Sequence, residues 1–215
     1  MKINYNIKMK KEIEKIKTQE GKPSLLLHSC CAPCSSAVLK RLYELFDITM
    51  FFYNPNISPE SEFTYRLDEL KRLLCEMNME DISVISPTYD NSEFESVIKG
   101  LEGEREGGER CYKCYRLRLD KSIAYAKAKG FDYVTTTLSI SPHKNAQWLN
   151  EIGLELGDKY GVKYLVSDFK KDEGYKISCK LSEEYNLYRQ DYCGCPFSKA
   201  EASLRGVAPK TPQGE

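Results

Sequence analysis

The chain has 215 residues, 41% of them hydrophobic and 30% charged, with lysine plus arginine and aspartate plus glutamate balanced at 32 each. That length suits one domain with a sizeable core, and no apolar run approaches the ~20 residues that cross a bilayer. No apolar segment follows the lysine-rich start, so the cytoplasm is the expected location, and the neutral total neither supports nor excludes a nucleic-acid partner, which needs only a local basic patch.

Residues 1–22 read as a charged leader with seven lysines and three glutamates. The spacing of Ile3, Ile7, Ile13 and Ile16 permits a helix, and a flexible, weakly docked arm is equally open. Gly21 and Pro23 then punctuate the chain. Residues 23–206 read as a single catalytic α/β domain and 207–215 as a disordered tail.

Within the domain, strand and helix signals alternate. Residues 24–28 are a short apolar run, a buried strand. Residues 35–46 carry Val38, Leu39, Leu42, Leu45 and Phe46 at helical spacing. A second strand is expected at 48–53 and a long amphipathic helix at 59–77, where Phe63, Leu67, Leu70, Leu74 and Met77 recur at three and four. A third strand at 82–86 is closed by Pro87, and a short helix follows at 93–101. Residues 100–109, rich in glycine and glutamate, predict a mobile loop. Residues 111–129 predict a helix ending at Gly130. Strands at 133–137 and 163–166 flank a helix at 145–160. This alternation predicts a parallel sheet with helices on both faces, whose ligands bind at the carboxyl ends of the strands.

Seven of the nine cysteines fall in three tight groups. Cys30, Cys31 and Cys34 lie at the first strand–helix turn, where α/β nucleotide-binding proteins place a glycine-rich phosphate loop. A helix N-terminus there favours thiolates and an anionic metal–sulfur centre. Cys111 and Cys114 make a C-x2-C pair at a helix start, a spacing common in zinc and iron–sulfur sites. Cys193 and Cys195 flank Gly194 and read as a redox-active dithiol more than a structural disulfide. Cys75 reads as core, and Cys179 as core or helix surface. Four thiolates suit zinc or iron–sulfur, and the spare cysteines favour redox work.

Six motifs in order give the pattern a family. They are His28-Ser29-Cys30-Cys31-Ala32-Pro33-Cys34, Phe52-Tyr53-Asn54-Pro55-Asn56-Ile57, Arg110-Cys111-Tyr112-Lys113-Cys114-Tyr115-Arg116, Thr135-Thr136-Thr137-Leu138-Ser139-Ile140-Ser141-Pro142-His143-Lys144, Asp168-Phe169-Lys170-Lys171 and Leu187-Tyr188-Arg189-Gln190-Asp191-Tyr192-Cys193-Gly194-Cys195. Together they resemble the cobalamin-independent epoxyqueuosine reductase family of the QueH type, over roughly residues 24–199. The resemblance implies reduction of the epoxide of epoxyqueuosine in a tRNA anticodon loop to give queuosine. It implies a Rossmann-like, nucleotide alpha-hydrolase-like fold with the metal site at the strand C-terminal ends. It implies a 4Fe–4S cluster on Cys30, Cys31, Cys111 and Cys114, and a redox-active pair at Cys193 and Cys195. A second, mononuclear iron near Cys34 and that pair is compatible with it; the pair would then bind metal rather than form a disulfide.

Removing an epoxide oxygen takes two electrons, two protons and loss of water, so an external electron donor and a proton donor are both required. His28, His143, Asp168 and Tyr192 are the candidate acids. Lys144, Lys170, Lys171, Arg189, Arg110, Lys113 and Arg116 are candidate phosphate contacts, and Tyr112, Tyr115, Tyr188 and Tyr192 could stack on splayed bases. Two other readings remain open from the residues alone: a zinc-bound RNA-binding module, and a thioredoxin-like dithiol oxidoreductase built on the Cys31-Ala32-Pro33-Cys34 turn. No membrane partner is expected.

Overall fold

The structure, a computed structural model, describes residues 3–204. The tail expected at 207–215 lies outside them. Five strands form one sheet: β1 (Ser24–His28), β2 (Asp47–Phe51), β3 (Ser83–Ile85), β4 (Tyr133–Thr136) and β5 (Lys163–Tyr164). Their order is β3-β2-β1-β4-β5, and every pairing is parallel. The chain moves outward from β1 through β2 to β3, then returns to lay β4 on the other side of β1. The crevice between the carboxyl ends of β1 and β4 is therefore the topological switch point.

Period-two alternation decides which side chains enter which layer. Leu25 and Leu27 of β1 join Ile48 and Met50 of β2 on one face, while Leu26, Phe51 and Val134 turn to the other. The first face is covered by α2 (Ala32–Leu42), α3 (Glu60–Glu76) and α7 (Gly174–Glu184), through Val38, Leu42, Leu70 and Leu181. The second is covered by α5 (Glu109–Lys129) and α6 (Ala146–Tyr160), through Leu119, Ile123, Leu149 and Ile152. Leu25, Leu26 and Leu27 are each 0% exposed, which is why β1 reads as an unbroken apolar run rather than an alternating one.

Several boundaries differ from the sequence expectation for local reasons. Helix α2 begins three residues early because Cys31 takes the extended N-cap position and Pro33 fits the first turn, which costs a helix no hydrogen bond there. β4 stops at Thr136, whose hydroxyl accepts from Leu138 N and caps a 3-10 turn, Thr137–Ile140. Gly130 ends α5 in the left-handed conformation, φ 76°, as its position predicts. In the leader, α1 (Tyr5–Lys17) is a helix: Met9, Ile13 and Ile16 are buried against the first face, and Asp172 ties Asn6 and Lys10 of α1 to Arg41. The sequence reading missed α7 and also α8 (Pro196–Leu204). Among the described residues no helix is long and apolar enough to cross a membrane.

Candidate metal and redox site

A cavity of about 390 Å³ opens at the switch point. Its floor is the turn after β1. Ser29 N donates to Phe51 O at 3.0 Å, and Ser29 and Ser35 hydroxyls meet at 2.7 Å, which fixes the turn before α2 begins. Cys30, Cys31 and Cys34 then project together, with all three sulfurs within 4.8 Å of one another. Cys30 Sγ lies 3.8 Å from Cys31 Sγ and 3.6 Å from Thr137 Oγ1, so the ends of β1 and β4 both reach this sulfur. Such a group can bind a metal ion.

The three thiols differ in charge. Hydrogen bonds from Cys31 and Cys34, helped by the Arg118 guanidinium, hold Cys30 well below the usual thiol range. Its hydrogen bond to Cys30 pushes Cys31 up to about 12, and Cys34 is likewise raised. Cys30 is therefore the thiol of the trio that loses its proton most readily, and a metal would displace the protons of the others.

The other four grouped cysteines stand on the next wall. Cys111 and Cys114 occupy the first two turns of α5, buried, with their pKa values raised, Cys114 to about 12, chiefly by desolvation. Gly107 N points at Cys111 Sγ at 3.2 Å. Cys114 packs with Cys195, Phe94 and Ile98. Cys193 lines the cavity, whereas Cys195 turns to Ser198 at the start of α8, Oγ at 3.3 Å. The two thiols thus meet different surroundings. All nine cysteines are free in this structure, and the Cys193–Cys195 disulfide is not formed.

Buried cations hold this sulfur-rich wall. Arg66 of α3, 2% exposed, pairs with Glu62 at 2.6 Å, donates to Cys193 O at 3.2 Å and lies 5.2 Å from the Tyr192 ring centroid. Gly194 sits over it at φ 112°, where a Cβ would come within 3.0 Å of Arg66 Nη1 and Ile57 Cγ1. Glycine is therefore the residue this turn admits. Arg118 of α5, 1% exposed, donates to Asn54 Oδ1 at 2.5 Å and to His28 Nε2 at 3.3 Å. Neither arginine was assigned a role from sequence. A signal existed in both helices: Cys111, Cys114 and Arg118 share a face at spacings of three and four, and Arg66 interrupts the apolar face of Phe63, Leu70 and Leu73.

The other expected residues scatter. His28 is fully buried, and burial with the nearby Arg118 pushes it down to about 3, so it is a neutral imidazole fixed between Thr136 Oγ1 at 2.8 Å and Tyr53 O at 3.1 Å rather than a charged acid. Asp168 is spent on Lys170 at 2.7 Å and does not line the cavity. His143 is exposed on the rim, and Tyr192 lines the wall. Lys144 is 9% exposed and faces Glu106 across 3.5 Å inside the cavity, so it is no surface phosphate contact. Arg110 is buried under Phe197 and paired with Glu201 at 3.2 Å, and Arg116 is paired with Glu155. Arg189 lines the cavity and spans Ser178 and Ser182, 5.2 Å from the Tyr175 ring centroid. Lys170 also reaches Ser139 O, whereas Lys113 and Lys171 are exposed with no ion pair among the described residues. Cys75, expected in the core, is exposed near Glu80 because it falls one position round from the Leu70–Leu74 stripe of α3.

The model for the family described as epoxyqueuosine reductase QueH matches residues 25–201. A protein of that description from Streptococcus pyogenes serotype M1 is 40% identical over 209 residues, covering 96% of this chain and 81% of its own. Another, from Staphylococcus epidermidis, is 40% identical over 208 residues, with 94% and 87% covered. Among solved structures, a predicted subunit of tRNA methyltransferase from Methanocaldococcus jannaschii superposes with a TM-score of 0.51 at 12% identity, covering 87% of this chain and 91% of that one, a likeness of fold.

Proposed function

The chain belongs to the epoxyqueuosine reductase QueH family, and on that premise we propose that it reduces the epoxide of epoxyqueuosine in tRNA to queuosine, using an iron–sulfur centre held at the switch-point cavity. The observation that carries this reading is a cavity lined by Cys30, Cys31, Cys34 and Cys193, with Cys114 and Cys195 packed together behind it and Arg118, a buried cation of its lining, without a carboxylate partner among the described residues. Arg118 Nη1 makes no hydrogen bond to nitrogen or oxygen among the described residues, and the groups that answer its charge are the thiols of Cys114 and Cys30. A buried guanidinium without a carboxylate is costly, and thiolates gathered on a metal centre would offset it.

The donor set fits such a centre. Cys30 and Cys31 from the β1–α2 turn and Cys111 and Cys114 from the first two turns of α5 are the proposed 4Fe–4S ligands. Cys34 and the Cys193/Cys195 pair remain for a second, mononuclear iron or for thiol redox chemistry. When bound, the cluster would supply electrons singly, drawn from an external donor. Two such electrons and two protons convert the epoxide to an alkene and water. Lys144, one of three buried cations that line the cavity with Arg66 and Arg118, would hold the oxygen as it gains negative charge. Tyr192, kept in place over Arg66, walls the same space, and Glu106 closes it from the 100–108 loop. One observation favours a second reading. Sulfurs around a single tetrahedral ion with metal–sulfur bonds of about 2.3 Å stand about 3.8 Å apart, and Cys30 and Cys31 have that separation. Cys30, Cys31 and Cys34 would then hold one metal ion without a cubane.

Anaerobic iron and acid-labile sulfide analysis, joined to an epoxyqueuosine-tRNA turnover assay, separates the two. Four irons with four sulfides and dithionite-bleachable absorbance are expected; one metal per chain without sulfide would establish the three-thiolate ion instead, and absence of queuosine formation would remove the reductase assignment.

The tRNA contact is proposed for the rim rather than the floor. Lys113 and Lys171 are exposed and unpaired among the described residues, so they are free to meet phosphate. Lys113→Ala combined with Lys171→Ala is expected to weaken tRNA binding and to reduce the slope of log affinity against log salt by about 1.4, at roughly 0.7 per single-strand phosphate. Filter binding across salt concentrations reads the slope; an unchanged slope would move the RNA to another face.

A further inference from the structure

We propose that Arg118 is a positioning residue that sets the reduction potential of the centre, a fixed buried cation held by Asn54 and His28 between the two cysteine-bearing walls of the cavity. The inference rests on the iron–sulfur reading above and concerns a residue that holds none of the metal.

Arg118 belongs to the same face of α5 as Cys111 and Cys114, and it lines the cavity together with Cys30 and Cys193. It is 1% exposed, and among the described residues no carboxylate answers its charge. Arg66, by contrast, has Glu62, and Arg110 has Glu201. Two neutral side chains hold the fork instead. Asn54 Oδ1 takes Nη2 at 2.5 Å, and His28 Nε2, itself 3.1 Å from Tyr53 O, lies 3.3 Å from Nε. Both side chains are themselves anchored: Asn54 Nδ2 donates to Ser29 O at 2.9 Å, and His28 Nδ1 sits 2.8 Å from Thr136 Oγ1. The anchors lie on the two strand ends that flank the crevice, so the guanidinium cannot swing away. That leaves Nη1, with no nitrogen or oxygen partner among the described residues, as the edge of a permanently charged group whose near neighbours are the thiols of Cys114 and Cys30.

Partners without charge are informative. A carboxylate at position 54 would satisfy the same geometry and cancel the field; an amide satisfies it and leaves the field intact. The arrangement keeps one full positive charge in a water-poor site beside sulfur. Reduction adds a negative charge there. A nearby fixed cation lowers the energy of the reduced state more than that of the oxidised state, and burial strengthens the effect. The cation therefore makes the centre easier to reduce, which lets a weaker external donor load it.

Redox titration of the anaerobically purified full chain, followed by electron paramagnetic resonance, tests this directly. Arg118→Gln should lower the midpoint by at least a tenfold change in the one-electron equilibrium, about 59 mV. Asn54→Asp, which keeps the guanidinium but neutralises it, should lower the midpoint in the same direction. Arg118→Lys, which keeps the charge, should stay nearer the parent than either. A merely structural role would give the opposite order, since Lys loses the fork and Asp preserves it. Midpoints within threefold of the parent equilibrium in both Arg118→Gln and Asn54→Asp would overturn the inference. If Arg118→Gln assembles no centre, Asn54→Asp decides alone: a lowered midpoint supports the inference and an unchanged one overturns it. A parent protein that assembles no iron–sulfur centre overturns both this inference and the reading beneath it, whereas a normal parent centre indifferent to both variants overturns only this one.

Discussion

Cys30→Ser, Cys31→Ser, Cys111→Ser and Cys114→Ser are each expected to lose the iron–sulfur absorbance and at least about 100-fold in turnover, the upper end of what losing even a ligand's supporting partner costs. Serine keeps the volume but offers a poor ligand in place of a thiolate, and Cys30 and Cys31 sit beside Cys34 while Cys114 packs against Cys195. Cys75→Ser is the matched control, because that thiol is exposed on α3, away from the cavity. Iron and sulfide analysis with visible spectroscopy on each variant reads the result. The pattern, not the average, carries the assignment. If Cys34→Ser loses the metal while Cys111→Ser and Cys114→Ser keep it, the ligands are the close trio after β1 and the proposed four-cysteine set is wrong. Cys193→Ser and Cys195→Ser should keep the centre and lose turnover; loss of the centre in either would make that pair a ligand set.

Much of this site could be read from the chain because its signals are local. A short apolar run followed by a cysteine-rich turn and a helix is one strand–turn–helix unit, and its cysteines sit where the switch-point rule places a binding site. C-x2-C at the start of α5 likewise needs nothing beyond helix geometry to put two sulfurs on one face. What stayed hidden depends on contacts between distant segments. Lys144 looks like any surface lysine in a Ser-Pro-His-Lys turn, yet the 100–108 loop folds over it and Glu106 reaches its ammonium. His28 looks like a candidate acid at a strand end, until burial, with Arg118 arriving from ninety residues on, holds it neutral. Helix α7 carries Leu181 inward among lysines and glutamates, a sparse stripe that periodicity alone passes over. Residues 100–108, expected as a mobile loop, are strapped by Arg110, which donates to the carbonyls of Glu102 and Glu104, and by Glu201, which accepts from Glu106 N at 2.9 Å.

Lys144→Met should cost about 10²–10³ in turnover number, the range for removing one charge-stabilising donor, while leaving the metal content unchanged. A lysine at 9% exposure is retained only where its charge is answered, and here Glu106 stands 3.5 Å from the ammonium. The same ammonium lines the cavity into which the epoxide must fit, opposite the cysteine trio. Ring opening places charge on the departing oxygen, and a preorganised cation in a water-poor cavity stabilises that charge more than it stabilises the neutral epoxide. Methionine keeps the length and apolar stem, so tRNA affinity should hold while the chemical step slows. Lys144→Arg should recover part of the rate, since it restores the charge at an altered reach. Single-turnover kinetics on epoxyqueuosine tRNA, with Kd measured separately by filter binding, distinguishes the outcomes. An equal loss in Kd and no loss in the chemical step would return Lys144 to the RNA-contact role that its sequence context suggested; a fall in iron content would make it a support for the metal wall instead.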